Sequence, residues 1–210
     1  MLELVHRISK KFRENRSKVF LETFKLENCS GLRILDLGGH PGLSIFENFP
    51  HSCEVVYLNI YEESKFRDSL FNNQTYVQGD ARKIPFPTSH FDIVYSNSLI
   101  EHVGELEEQA KVAHEIMRVG RGYWIQTPYK HFPIEHHYNF PFFQYASKKI
   151  KLWIYYNWSY SYHKKNSLDY EEIHLLNIRQ VKNLFPNASQ FYLEKLGPLT
   201  KSIVAIKKIE

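Results

Sequence analysis

Cysteine is nearly absent from this sequence: Cys29 and Cys53 are the only two among 210 residues. Two are too few for a disulfide framework and show no metal-ligand spacing, so both read as ordinary small residues in a reducing compartment. Long apolar runs are missing as well; none approaches the ~20 residues needed to cross a bilayer. The stretch from Met1 to Ser30 mixes charge with apolar residues and lacks the apolar core of a secretory signal, so a cytoplasmic location is expected. Neither sign of charge dominates. The formal net charge of +4 permits an anionic partner without requiring one. There are no internal repeats and no low-complexity tract. One absence is local: between Tyr138 and Lys165 the chain carries neither an acidic residue nor an arginine.

What is present is an ordinary globular balance, with 43% hydrophobic and 24% charged residues, long enough for one domain with a sizeable core. Leu4, Ile8, Phe12, Val19, Leu21 and Phe24 recur between charged residues, which predicts an amphipathic helix over Leu4 to Phe24. Arg33 to Leu37 reads as a short buried strand ended by the glycine cluster Gly38-Gly39-His40-Pro41-Gly42, with a helix expected over Leu43 to Phe49. Strands are expected at Glu54 to Asn59, Thr75 to Gln78, Phe91 to Tyr95 and Gly122 to Gln126. Helices are expected at Glu62 to Leu70 and at Leu106 to Met117, the latter with Leu106, Ala110, Ala113 and Met117 on one stripe. The alternation predicts βαβ units and a mainly parallel sheet. Right-handed crossovers then gather the loops that follow the strands at one sheet edge, where ligands bind. Gln190 to Leu196 and Lys201 to Lys207, joined by Gly197-Pro198-Leu199-Thr200, form an antiparallel pair.

The polar features follow strands. The glycine turn lets backbone approach a ligand, and free N–H groups at a helix start suit a carboxylate or phosphate. Asn59 ends the second strand. Gly79-Asp80-Ala81, followed by Ile84-Pro85-Phe86, ends the third, and the fourth runs on as Ser96-Asn97-Ser98-Leu99-Ile100-Glu101-His102-Val103. Asp92 suits hydrogen bonding at the start of its strand; Glu101 and His102 suit either a helix start or the wall of a site.

In this order and spacing, from about Leu32 to Thr127, the motifs resemble those of class I S-adenosylmethionine-dependent methyltransferases of the type 11 family. The resemblance implies an α/β, Rossmann-like sheet of seven strands, mostly parallel with an antiparallel last strand, and S-adenosyl-L-methionine as cofactor. It implies that Asp36 organises the turn, that Gly38, Gly39, His40 and Gly42 close around the methionine part, and that Asn59 meets the ribose hydroxyls. Asp80 and the Ala81 N–H would bind adenine, and Ser96 and Asn97 would line the floor beneath the sulfonium. Two positions depart from the family. His40 stands where glycine is usual, which matters where φ must be positive. Asn59 stands where an acid is usual, and an amide has one acceptor oxygen only. Weaker cofactor binding is expected from both.

After the fifth strand, Thr127-Pro128-Tyr129-Lys130-His131-Phe132-Pro133-Ile134-Glu135-His136-His137 is similar to a segment in a subset of type 11 proteins. Methyl transfer is an in-line displacement at carbon, and a hydroxyl acceptor must lose a proton. His137 is the candidate base, oriented by Glu135, with His131 or His102 as substitutes; the same residues also suit hydrogen-bonding struts of a lid. Glu135, His136, His137 and His131 could offer metal ligands, but nothing enforces a geometry and no metal is expected. The basic aromatic stretch 138–165 should cap the acceptor pocket. It suits stacking on sugars or planar acceptors, peripheral membrane contact, or packing of a cap or dimer interface. The expected domain plan is single: a helical segment 1–28, a cofactor-binding core 29–128, a cap 129–168, and a closing helix and strand pair 169–210. The expected function is O-methylation of a small-molecule or glycan acceptor. The alternatives are a cofactor-binding but inactive partner subunit, or methylation of RNA, which the arginine-free cap disfavours.

Overall fold

The computed structural model describes residues 2–26, 31–42, 44–46, 53–62, 69–158 and 169–209, with side chains from residue 11 onward. The chain opens with α1 (Leu2–Phe24). Short strands follow: β1 (Arg33–Leu37), β2 (Glu54–Asn59), β3 (Gln74–Gln78) and β4 (Phe91–Asn97). After a 3-10 turn at Ile100–His102 come α2 (Leu106–Val119) and β5 (Gly120–Pro128). A two-residue hairpin, β6 (Ile134–Glu135) with β7 (Phe140–Pro141), precedes α3 (Lys148–Asn157) and α4 (Ile178–Leu184). The chain closes with β8 (Gln190–Leu196) and β9 (Leu199–Lys207).

Seven of these strands make one mixed sheet in the order β3-β2-β1-β4-β5-β9-β8, mostly parallel with the last strands antiparallel. The expected antiparallel pair at the chain end is therefore present. β1 pairs in parallel with both β2 and β4, so the strand order reverses direction beside β1, the place where such sheets receive ligands. Every residue of β1 after Arg33 and every residue of β2 after Glu54 is buried, mostly apolar as in a parallel sheet covered on both faces, with Asp36 and Asn59 the polar exceptions.

Two compact units divide the chain. One comprises residues 1–97, 115–125 and 206–210; the other comprises 98–114 and 126–205. In the first, Phe20 of α1 is fully buried and meets the rings of Phe24, Phe46, Tyr95 and Trp124 at centroid distances of 4.9 to 5.8 Å. Tilted and edge-on pairs of this kind add about 0.5–1.5 kcal/mol each beyond their buried area. Asp92 holds the start of the sheet as expected: its carboxylate accepts from the Arg33 N–H at 2.9 Å and from Arg121 at 3.2 Å. In the second unit Tyr138, Phe143, Ile154, Ile173 and Leu175 form a core against which Phe140, Tyr155, Trp158 and Tyr170 pack. Part of the aromatic excess is thus core, while Phe142, Trp153 and Tyr156 remain exposed. Tyr160 and Tyr162 lie outside the described residues.

Two local expectations are corrected. Ser44–Phe46 form bend and turn instead of the helix expected over Leu43 to Phe49, whose other residues lie outside the described ones. The Ser44 hydroxyl accepts the Phe46 N–H at 3.3 Å and donates to Asp36 at 2.5 Å, local bonds that compete with a helix. On α2 the buried stripe is Gln109, Val112, Ala113, Ile116 and Val119, while Leu106 is 46% exposed. Two overlapping stripes share Ala113, and the one carrying the branched side chains buries more apolar surface. The helix expected at Glu62 to Leu70 falls mostly outside the described residues. No helix among the described residues is long and apolar enough to cross a membrane.

Candidate functional site

The glycine turn is built by β1 and clasped by β2. Gly38 and Gly42 hold φ of +80° and +83°, which only glycine adopts without strain. His40 is not among the residues with positive φ, so its departure from glycine costs the turn no backbone strain. At Gly39 the limit is space: a Cβ there would lie 2.3 Å from the Asp36 carboxyl carbon. Asp36 is 3% exposed. Burial pushes its carboxyl up to about 7, against the opposing pull of the Ser44 hydroxyl.

Asn59 ties the turn to β2. Its Nδ2 donates to the carbonyls of Gly38 and Gly39, each at 3.1 Å, and its Oδ1 accepts from the Ile60 N–H at 2.8 Å. A carboxylate has no donor and could make neither of the first two bonds. The amide at this position is therefore a clasp fitted to two carbonyls.

Asp80 at the end of the β3 loop is held by Arg82, which reaches both carboxylate oxygens at 2.6 to 3.0 Å. That hydrogen bonding holds the Asp80 carboxyl below its ordinary range. The following segment, Ile84-Pro85-Phe86, is fixed by α2: Arg118 donates to the carbonyls of Ile84 and Phe86, and Glu115 accepts the Ile84 N–H at 2.7 Å. Ala81 is buried. At the end of β4, the Ser96 hydroxyl donates to the Leu37 carbonyl at 3.0 Å. Asn97 Oδ1 accepts from Arg16, a side chain of α1 that is only 5% exposed. Arg16 escaped the reading of the sequence, although it sits one turn from both Phe12 and Phe20, a charge in the middle of an apolar stripe. That misplacement was the available signal.

The second unit gathers a separate polar cluster. The 3-10 turn after β4 brings Glu101 and His102; the end of β5 brings Thr127; the β6–β7 hairpin brings Glu135, His136 and His137. Glu135 is 2% exposed and His137 7%, and Glu135 Oε1 lies 2.6 Å from His137 Nδ1. Glu135 Oε2 accepts the Tyr138 N–H at 2.9 Å. Burial raises the Glu135 carboxyl, but the His137 hydrogen bond and the neighbouring imidazoles outweigh it and leave the group at about 2. His102 meets the His137 ring edge-on at 4.8 Å, and its Nδ1 lies 3.0 Å from Glu171. Burial lowers the His102 pKa, and the Glu171 hydrogen bond and nearby carboxylates more than reverse it, so the net direction is up. Tyr138 fixes Glu171 from behind, its hydroxyl donating to the Glu171 carbonyl at 2.6 Å and accepting the Glu171 N–H at 3.1 Å. Glu171 has no counterpart in the motifs, because it arrives from a distant segment. His131 is exposed and joins Tyr145 and Tyr129 instead of this cluster. His137, Glu135 and His102 are thus brought together; His131 is not.

A seven-stranded sheet in this order, with a glycine turn beside the strand where the order reverses, defines the class I methyltransferase fold. The family described as a methyltransferase domain matches residues 35–122. A C-methyltransferase of ubiquinone and menaquinone biosynthesis, UbiE, from Shewanella sp. (strain W3-18-1) is 30% identical over 101 residues, covering 43% of this chain and 40% of that protein. The chain thus spans about 40% of the length of the curated relatives it matches. Among solved structures, an S-adenosylmethionine-dependent methyltransferase from Methanosarcina mazei superposes with a TM-score of 0.58 at 13% identity, covering 91% of this chain and 98% of that one. Another from Aquifex aeolicus reaches 0.52 at 14% identity, covering 90% and 88%. At such identities these likenesses speak for the fold.

Proposed function

We propose that this chain transfers the methyl group of S-adenosylmethionine to an oxygen of a small-molecule or glycan acceptor. In this reading the turn Asp36–Gly42 receives the methionine part, Asn59 turns its remaining acceptor capacity to the ribose, and Asp80 with the Ala81 N–H takes adenine. Ser96 and Asn97, the latter steadied by Arg16, lie beneath the sulfonium. The observation that carries the oxygen assignment is the buried Glu135–His137 pair at 2.6 Å with His102 against it. A hydroxyl must lose its proton as the methyl arrives, and a buried imidazole–carboxylate pair is a proton-handling device. The name of the relatives, a C-methyltransferase, favours a second reading in which a carbon atom is the acceptor.

Calorimetric titration with S-adenosylhomocysteine, followed by methyl transfer to a panel of hydroxylated aromatics and sugars, tests the proposal. Asp80→Ala should lose cofactor binding. His137→Ala should keep it and lower turnover by about 10²–10⁴-fold, the range of general acid–base contributions. Full turnover in His137→Ala would remove the proton-handling role. Cofactor retention without transfer to any acceptor would favour an inactive partner subunit.

A further inference from the structure

We propose that Glu101, His102 and His137 form a binding site for a first-row divalent transition-metal ion. The inference deepens the acceptor-side reading above, on which its chemical purpose rests: with Nε2 of His137 on the ion, that cluster would ease loss of the acceptor's proton through the cation and not by taking the proton on His137 itself. Ion binding itself is testable without cofactor or acceptor.

One candidate ligand atom from each of the three residues lies within 4.8 Å of the others. Two imidazoles and one carboxylate make a donor set suited to ions such as Fe²⁺, Co²⁺ or Zn²⁺, and too rich in nitrogen for Mg²⁺ or Ca²⁺. Both imidazoles are gripped from behind: Glu135 holds Nδ1 of His137 at 2.6 Å, and Glu171 holds Nδ1 of His102 at 3.0 Å. Carboxylates placed on Nδ1 in this way select the tautomer, orient the ring and make Nε2 the ligand atom. Metal-ligating histidines almost always carry such a partner on the other ring nitrogen, and here both adjacent rings have one.

Glu101 supplies the independent observation. It is fully buried, its Oε2 accepts from the Thr127 hydroxyl at 3.0 Å, and its Oε1 is buried without a hydrogen-bond partner. A closed network of struts would satisfy that oxygen, because a buried acceptor left unmet is costly. Glu101, Glu135 and Glu171 together place three carboxylates around two imidazoles, negative charge that a dication offsets in large part. The contiguous set Glu135, His136 and His137 also comes within ligand distance, but both oxygens of Glu135 are already engaged and His136 is 47% exposed. Three protein ligands leave positions for water or an acceptor oxygen, whose proton a bound cation makes easier to remove.

The test uses the full chain, stripped with a chelator and titrated with Co²⁺ by visible absorption and with Zn²⁺ by calorimetry. One ion should bind per chain with micromolar or tighter affinity, and millimolar Mg²⁺ should not displace it. Glu101→Gln and His102→Ala should lose the cobalt band, Glu135→Gln should weaken binding by about 10–100-fold, and His136→Ala should leave it unchanged. Far-UV circular dichroism checks each variant; should Glu101→Gln not fold, His102→Ala carries that arm. A folded wild-type chain with no saturable binding overturns the proposal, as does binding that survives loss of Glu101 or His102, or that needs His136 instead. S-adenosylhomocysteine titrated into the same sample separates the two readings. Cofactor binding without metal binding sinks this inference alone, and metal binding without cofactor binding sinks the methyl-transfer reading alone.

Discussion

Replacing Asn59 by aspartate restores the residue type usual in the resembling family, and the structure predicts that the change harms this chain. The Asn59 amide donates to the carbonyls of Gly38 and Gly39 at 3.1 Å each, and the residue is 8% exposed. Aspartate keeps the acceptor for the Ile60 N–H but loses both donors. Each lost hydrogen bond costs about 1 kcal/mol, and a buried carboxylate set against two unmet carbonyls adds a further ~1–2 kcal/mol. A total near 3–4 kcal/mol is therefore expected. Urea denaturation of wild type, Asn59→Asp and Asn59→Ala at pH 8 measures it, with the aspartate variant the least stable of the three. Near pH 4 the aspartate takes up a proton and can donate to one carbonyl, so part of the deficit should return. An Asn59→Asp chain within about 0.5 kcal/mol of wild type at pH 8 would refute the clasp, since ordinary surface changes fall in that range.

The Asp36 carboxyl, ordinarily near 3.8 and pushed to about 7 by burial, binds its proton more tightly in the folded than in the unfolded chain. Its contribution is therefore full below pH ~4 and is lost as pH rises toward 7, by at most about 4 kcal/mol at 1.36 kcal/mol per unit. Asp36→Asn should flatten that slope in unfolding curves taken from pH 5 to 8; an unchanged difference between the two proteins across that range would contradict it. Phe20→Ala, which removes the hub of four aromatic contacts, should cost about 3–5 kcal/mol in thermal or urea unfolding. Asn177 caps α4 through a reciprocal pair with Gln180, at 2.9 and 3.0 Å. Asn177→Ala should cost about 1 kcal/mol, measurable as a shift in the urea midpoint.

Much of the sheet was legible before any coordinates, because buried parallel strands are continuous apolar runs and their turns need glycine. Period and punctuation are local properties. β1 to β4 and the closing pair β8–β9 accordingly fall where the residues place them. The phase of α2 was misread because Leu106 and Ile116 lie on competing stripes, and only the neighbours decide which is buried. Arg16 and Phe20 were passed over for a similar reason: α1 has several apolar residues, and the rings of Phe46, Tyr95 and Trp124 choose among them.

The glycine turn, Asp36, Asp80 and the Glu135–His137 pair are each contained within a few residues of chain, so the resemblance of short motifs could mark them as candidates. Their environments were not contained there. Asn59 became a clasp only when β1 and β2 paired in register and set two carbonyls before its amide. Glu101, Thr127, His137 and Glu171 are scattered over seventy residues of sequence and meet through folding. A local pattern can nominate a side chain for chemistry, whereas its burial, its partners and the charge around it belong to contacts between distant segments, which only the tertiary structure supplies.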